Sequence, residues 1–116
     1  MTEESLKTFL RRLLKALAVA IGANWQEFAG PLRASAKELI EDSTTDLARW
    51  SGLLASGAIT PTDYRWLVDA RTDLTELEVL SRAGMTRNQV DRFRALVTET
   101  IVVTAISVFL RPPKES

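Results

Sequence analysis

The sequence predicts an all-α protein of one domain, folded as an antiparallel four-helix bundle. Apolar residues recur at alternating spacings of three and four along most of the chain, which is the spacing of one face of an α-helix. Between these segments, glycines mark helix ends. Hydroxyl residues followed by acidic or amide residues mark helix starts. The 116 residues are enough for one hydrophobic core and too few for two.

The first helix is expected over about residues 3–21, with Thr2 as its N-cap and Gly22 after its last turn. Its leucines form an apolar face, and its basic residues fall on another face. The candidate membrane-surface residues are Lys7, Arg11, Arg12 and Lys15. Such a helix can bind anionic lipid headgroups, or it can be one helix of a bundle whose cations are solvated or paired with the acidic middle of the chain.

The second helix is expected over about residues 25–56, because the four-three alternation of apolar residues runs through the whole segment. Asn24 and Glu27 resemble a capping box at its start. Pro31 interrupts the backbone pattern, because proline has no N–H group and its ring clashes with the preceding turn. A long helix kinked at Pro31 and a new helix with Pro31 in its first turn are both open.

The third helix is expected over about residues 61–83. Thr60 supplies a hydroxyl N-cap, a proline follows at the first helical position, and Asp63 completes a capping box. Gly84 ends the helix. Trp66 lies off the main apolar stripe, so an exposed indole at this position would indicate a contact surface.

The fourth helix is expected over about residues 86–110, with Thr86 and Gln89 as its capping box and 111–116 as a frayed tail. A β-strand is the alternative over 100–110, since valine, isoleucine and threonine favour sheets. The chain offers no second strand to pair with it, so the helix is preferred.

The second half of the fourth helix is apolar around almost its whole circumference. One small bundle is not expected to cover such a surface, so we predict a homo-oligomer that buries this half between subunits. The candidate interface residues are Ile101, Val102, Val103, Ile106, Phe109, Leu110 and Trp66. Glu99 lies in the same apolar stretch and is a candidate buried acid, which would be neutralised or paired with an arginine such as Arg12 or Arg33. A position on an exposed edge of the helix is the alternative.

Residues 77–93 resemble a helix-turn-helix motif, with glycine in the turn and a polar, arginine-bearing second helix. The resemblance implies DNA contacts through Arg87, Asn88, Gln89 and Arg92. An ordinary helical hairpin with a glycine cap accounts for the same residues. Leu80 also stands where such motifs usually have a small side chain.

Composition restricts the chemistry that this chain can perform. It contains neither Cys nor His, which removes disulfides, thiolate catalysis, His general acid–base chemistry and the commonest metal ligands. The acidic residues of the second and third helices are interpreted as a solvated face, since a ferritin-like site also uses histidines. We therefore expect no enzyme activity, cofactor, metal or small-molecule substrate.

The formal net charge is zero, so overall charge does not favour a polyanionic partner. It is distributed unevenly, at +2, −5 and +3 for residues 1–36, 37–78 and 79–116. No targeting segment is recognised, and a cytoplasmic location is expected. The preferred interpretation is a non-enzymatic helical interaction or assembly module that binds copies of itself. A membrane surface and DNA are the alternative partners.

Overall fold

The computed structural model describes residues 2–72 and 84–110, and the chain is all-helical throughout these ranges, with no strand in them. The predicted all-α class is confirmed, and the helical interpretation of 100–110 is correct. The α-helices are α1 Glu3–Asn24, α2 Ala29–Asp42, α3 Thr44–Ser56, α4 Pro61–Arg71 and α5 Arg87–Ala105. A 3₁₀ turn at Gln26–Phe28 precedes α2, and a π-helical turn at Ile106–Leu110 continues α5.

The prediction of one long second helix is wrong. The chain breaks at Ser43, whose N–H group is shared between the carbonyls of Leu39 and Ile40 at 3.0 and 3.2 Å. Arg71 stabilises this break, because its Nη2 donates to the Asp42 carbonyl at 3.2 Å and its Nε lies 3.3 Å from Oδ2 of Asp46. The apolar alternation continues across the break because α2 and α3 face the same core.

Pro31 starts a helix and does not kink one. It is the third residue of α2, where its missing N–H group has no intrahelical partner to lose. The predicted helix end at Gly22 is wrong, since α1 continues to Asn24. The Asn24 side chain donates to the Ala20 carbonyl at 2.8 Å, within α1, and therefore does not cap the next helix.

The other three predicted helix starts are confirmed. Thr2, Thr60 and Thr86 are N-caps whose side chains accept a hydrogen bond from the backbone N–H three residues later. In each case the third residue of the helix returns a hydrogen bond to the cap, which completes a capping box. The predicted continuation of the third helix to 83, the first helix of the hairpin at 77–93 and the tail 111–116 lie outside the described residues.

Aromatic residues join the first and last helices in the core. The rings of Phe9 and Phe109 lie 5.3 Å apart, and Trp25 meets Phe93 edge-on at 5.9 Å. These two pairs run in opposite sequence order, so the turn at Ile106–Leu110 lies near the first half of α1. The core continues between α3 and α4, where Tyr64 is fully buried and its hydroxyl lies 3.0 Å from Oγ of Ser51.

Candidate interaction surfaces

The outward side of α5 and its π-helical extension carries an apolar stripe, formed by Val103, Ile106 and Leu110. All three side chains are exposed, and Val103 retains 54% of its accessible surface. Their spacing of three and then four residues places them in one line along the helix. We call these three residues the α5 stripe.

Three predicted interface residues do not belong to this surface. Ile101 and Val102 are only 2% and 1% exposed, because α5 packs against both α1 and α4. Phe109 is half-buried against Phe9. One protomer thus buries more of this apolar helix than the sequence predicts. The apolar surface that remains exposed is the narrow α5 stripe.

The prediction of a buried acid at Glu99 is wrong. Its side chain is 54% exposed and forms an ion pair with Arg65, in which Nη2 also lies 3.4 Å from Oε2. The hydrogen bond from Arg65 holds the pKa of the Glu99 carboxyl below its usual value. An ion pair was anticipated, with Arg12 or Arg33 as partner. The true partner is 34 residues away on α4, and no local pattern indicates it.

Trp66 follows Arg65 in the chain and is 74% exposed. Its position off the apolar stripe of its helix is as the sequence indicated. Arg65 pairs with Glu99, which lies one turn before Val103 on α5. The Trp66 indole is therefore on α4, the helix that lies beside the α5 stripe. Trp50, by contrast, is half-buried against the core.

The four basic residues of α1 all point into solvent. Within 2–72 and 84–110, none of Lys7, Arg11, Arg12 and Lys15 forms an ion pair. Two acidic residues from the middle of the chain pair with other arginines: Asp46 with Arg49 and Arg71, and Asp69 with Arg94. We call these four residues the α1 basic face. Val19 on the same helix is 65% exposed.

The candidate DNA-binding residues are not equivalent. Arg87 and Asn88 are exposed at the start of α5. The Gln89 side chain accepts a hydrogen bond from the Thr86 N–H group at 2.8 Å, and the Arg92 guanidinium lies over the Trp25 ring at 5.8 Å. Gln89 and Arg92 therefore have structural roles in the helix cap and in packing.

A groove between α1 and α2 was not anticipated from the sequence. Its volume is about 170 Å³, and its lining residues are Leu14, Leu17, Ala18, Ile21, Arg33, Ala36 and Lys37. Arg33 crosses to α1, where its Nε and Nη2 donate to the Ala18 carbonyl at 3.2 and 3.0 Å. Alanines at 18 and 36 were a possible signal, because small side chains on facing helices leave such a depression. We call this the α1–α2 groove.

Two further observations concern metals and membranes. Among the described residues, no three acidic side chains lie close enough together to hold a metal ion. The helical stretch Arg87–Leu110 is long and apolar enough to cross a bilayer. An 18-residue window within it has a mean hydropathy of 1.8, and 33% of that window is buried. Length and apolarity alone are weak evidence, since core helices of soluble proteins share both properties.

Comparisons of the chain with protein-family models, with curated proteins and with solved structures find no match. No property of a relative can therefore be transferred to it. The α5 stripe, the α1 basic face and the α1–α2 groove are the features on which functional inference rests.

Proposed function

We propose that this protein is a non-enzymatic helical assembly module that forms a homo-oligomer through the α5 stripe. The observation that carries the proposal is the line of exposed Val103, Ile106 and Leu110 on a helix that packs against α1 and α4 within the protomer. Aliphatic side chains in a row lose contact with water when a second copy of the helix covers them. In a symmetric dimer, the α5 stripe of one protomer would pack against the α5 stripe of the other.

The spacing of the stripe supports helix-to-helix contact. Glu99, Val103, Ile106 and Leu110 are separated by four, three and four residues, which is the spacing of coiled-coil seam positions. The last three of these positions are apolar. The first is Glu99, whose ion pair with Arg65 makes that end of the line polar. A polar boundary of this kind limits how far a partner helix extends.

Trp66 extends the proposed interface to α4. Exposed tryptophans are costly to solvate and are enriched among residues that dominate binding energy. Its neighbour Arg65 is already oriented by Glu99, so the edge of the surface needs little ordering on association. We expect Trp66 to pack against the partner beside the α5 stripe.

We also propose that α1, α3, α4 and α5 form an antiparallel four-helix bundle, with α2 as an additional helix over α1. Opposite sequence order in the contacts supports this arrangement. The contacts are Phe9–Phe109 and Trp25–Phe93 for α1 and α5, Arg65–Glu99 and Asp69–Arg94 for α4 and α5, and Ser51–Tyr64 and Asp46–Arg71 for α3 and α4.

Sedimentation analysis of the purified chain over a range of micromolar concentrations tests assembly. We expect the wild type to exceed its monomer mass of 12.9 kDa and Val103→Asp to be monomeric. Val19→Asp is the matched control, because it places the same charge at another exposed valine, on α1. A wild-type chain that stays monomeric, or equal loss of assembly in both variants, would refute the proposal.

A second candidate function is binding to an anionic membrane surface. The specific observation in its favour is that the α1 basic face is exposed and forms no ion pair with other described residues. Each basic residue near such a surface contributes about 1 kcal/mol. Co-sedimentation with phosphatidylserine vesicles should be lost in Arg11→Glu/Lys15→Glu and retained in Arg87→Glu, a charge reversal on α5. Binding that survives the double reversal would reject this candidate.

A further inference from the structure

We propose that the α1–α2 groove binds a medium-chain fatty acid, with its alkyl chain on the apolar floor and its carboxylate at Arg33 and Lys37. This site is separate from the α5 stripe and does not depend on assembly. Three properties of the groove lead to this ligand: its size, its apolar floor and the charge at its mouth.

The size and floor fit an alkyl chain. Leu14, Leu17 and Ile21 of α1 face Ala36 of α2 across a space of about 170 Å³. Apolar cavities of about 150 Å³ hold a molecule the size of benzene, so the groove accepts roughly six to eight carbon atoms. Such a length corresponds to most of a medium-length chain.

The mouth is prepared for an anion. Arg33 already uses two N–H groups on the Ala18 carbonyl, so its guanidinium is held in place while three of its five N–H groups remain available. Gly22 makes room for it, because a Cβ atom at this position would lie 2.5 Å from Nη2 of Arg33. A donor fixed before binding loses little conformational freedom on binding.

The charge of the lining is of one sign. Both charged residues among the described lining groups, Arg33 and Lys37, are basic, and none is acidic. A carboxylate therefore meets two cations without a competing anion. A neutral amphiphile of the same length would fill the floor but leave the mouth unused.

An alkyl chain suits the floor better than a peptide does. Apart from Arg33 and Lys37, the residues that line the groove are all aliphatic. A peptide laid along them would bury amide groups without hydrogen-bond partners, which costs about 1–3 kcal/mol for each group. An alkyl chain has no such groups.

Titration with decanoate below its micelle concentration tests the proposal, with decanol as the neutral ligand of equal length. Amide shifts in ¹H–¹⁵N spectra should map decanoate to the groove, and decanol should bind at least about tenfold more weakly. Arg33→Gln/Lys37→Gln should remove this preference for the carboxylate. Both residues are exposed, so the substitutions leave the core intact.

A filling variant tests the floor independently. Ala18→Leu should abolish decanoate binding, and Ala23→Leu, the same change at an exposed position of α1 outside the groove, should not. The proposal is overturned by equal affinity for decanol, by unchanged binding in Ala18→Leu, or by an acidic leucine-containing peptide that binds where decanoate does not. Decanoate binding should persist in the monomeric Val103→Asp variant. Failure of the fatty-acid proposal is therefore distinguishable from failure of the assembly proposal.

Discussion

Tyr64 shows how one residue links packing to hydrogen bonding in this core. It is the largest fully buried side chain among the described residues, and its hydroxyl reaches only as far as Ser51, 3.0 Å away on α3. Burial raises the pKa of the phenol to about 12, against a smaller lowering effect of the Ser51 hydrogen bond. The interior therefore favours the neutral phenol strongly over the phenolate.

This shift predicts a loss of stability at high pH. The folded state holds the phenol proton more tightly than the unfolded state, whose pKa is 10, so the stabilisation is complete below pH 10 and is lost as pH rises towards 12. Roughly 2–3 kcal/mol is at stake. Tyr64 is the chain's one tyrosine, so tyrosinate absorbance follows it alone. Urea unfolding of the wild type should weaken over this range more than that of Tyr64→Phe; parallel curves would contradict the assignment.

Replacement by alanine should have opposite effects on stability at two buried serines, Ser43 and Ser51. Within 2–72 and 84–110, the Ser43 hydroxyl has no hydrogen-bond partner, whereas the Ser51 hydroxyl is bonded to Tyr64. Ser43→Ala should stabilise the protein by about 1 kcal/mol, because an unsatisfied buried group is removed. Ser51→Ala should destabilise it by about 1–2 kcal/mol, because the tyrosine hydroxyl loses its partner. Midpoints of urea unfolding compare the two; destabilisation by Ser43→Ala would indicate a bound partner at that hydroxyl.

At the scale of the helix, starts were predictable from sequence where a side chain encodes them. Thr60 and Thr86 each sit three residues before a group that completes a capping box, and both boxes form. The break at Ser43 has no such signature. Arg71, which lies far along the chain, binds the Asp42 carbonyl and Asp46 at this break. Local periodicity contains no information about such a distant donor.

The Thr86 cap gives a prediction at this scale. Its Oγ1 accepts the Gln89 N–H at 3.2 Å, and the Gln89 side chain accepts the Thr86 N–H at 2.8 Å. Thr86→Ala should cost about 0.5–2 kcal/mol, since the Gln89 N–H group at the helix start then depends on water. Thr45→Ala, at an exposed threonine within α3, should change stability far less. Thermal unfolding measures both; equal effects would show that the cap contributes nothing special.

At the scale of the molecule, the sequence indicated the exposed surface only in part. Val103, Ile106 and Leu110 were identified as interface candidates and are exposed, but their neighbours Ile101 and Val102 are inside. A helical wheel shows which residues share a side of α5. It does not show that α1 and α4 both pack against α5 and bury Ile101 and Val102. The α1–α2 groove was missed for the same reason, because it forms only where two helices meet.

Assembly through the α5 stripe also predicts a coupling between stability and concentration. A partner that binds the folded chain and not the unfolded chain raises stability by mass action, so the Tm of the wild type should increase with protein concentration. In Val103→Asp this dependence should vanish. At high dilution the variant should have nearly the wild-type Tm, because Val103 is 54% exposed within the protomer and its replacement leaves the core intact. Val19→Asp should retain the dependence of Tm on concentration.

Calorimetry over a hundredfold range of protein concentration separates assembly from the stability of the single chain. A wild-type Tm that does not change would contradict assembly. A low Tm of diluted Val103→Asp would show that Val103 supports the fold of the single chain.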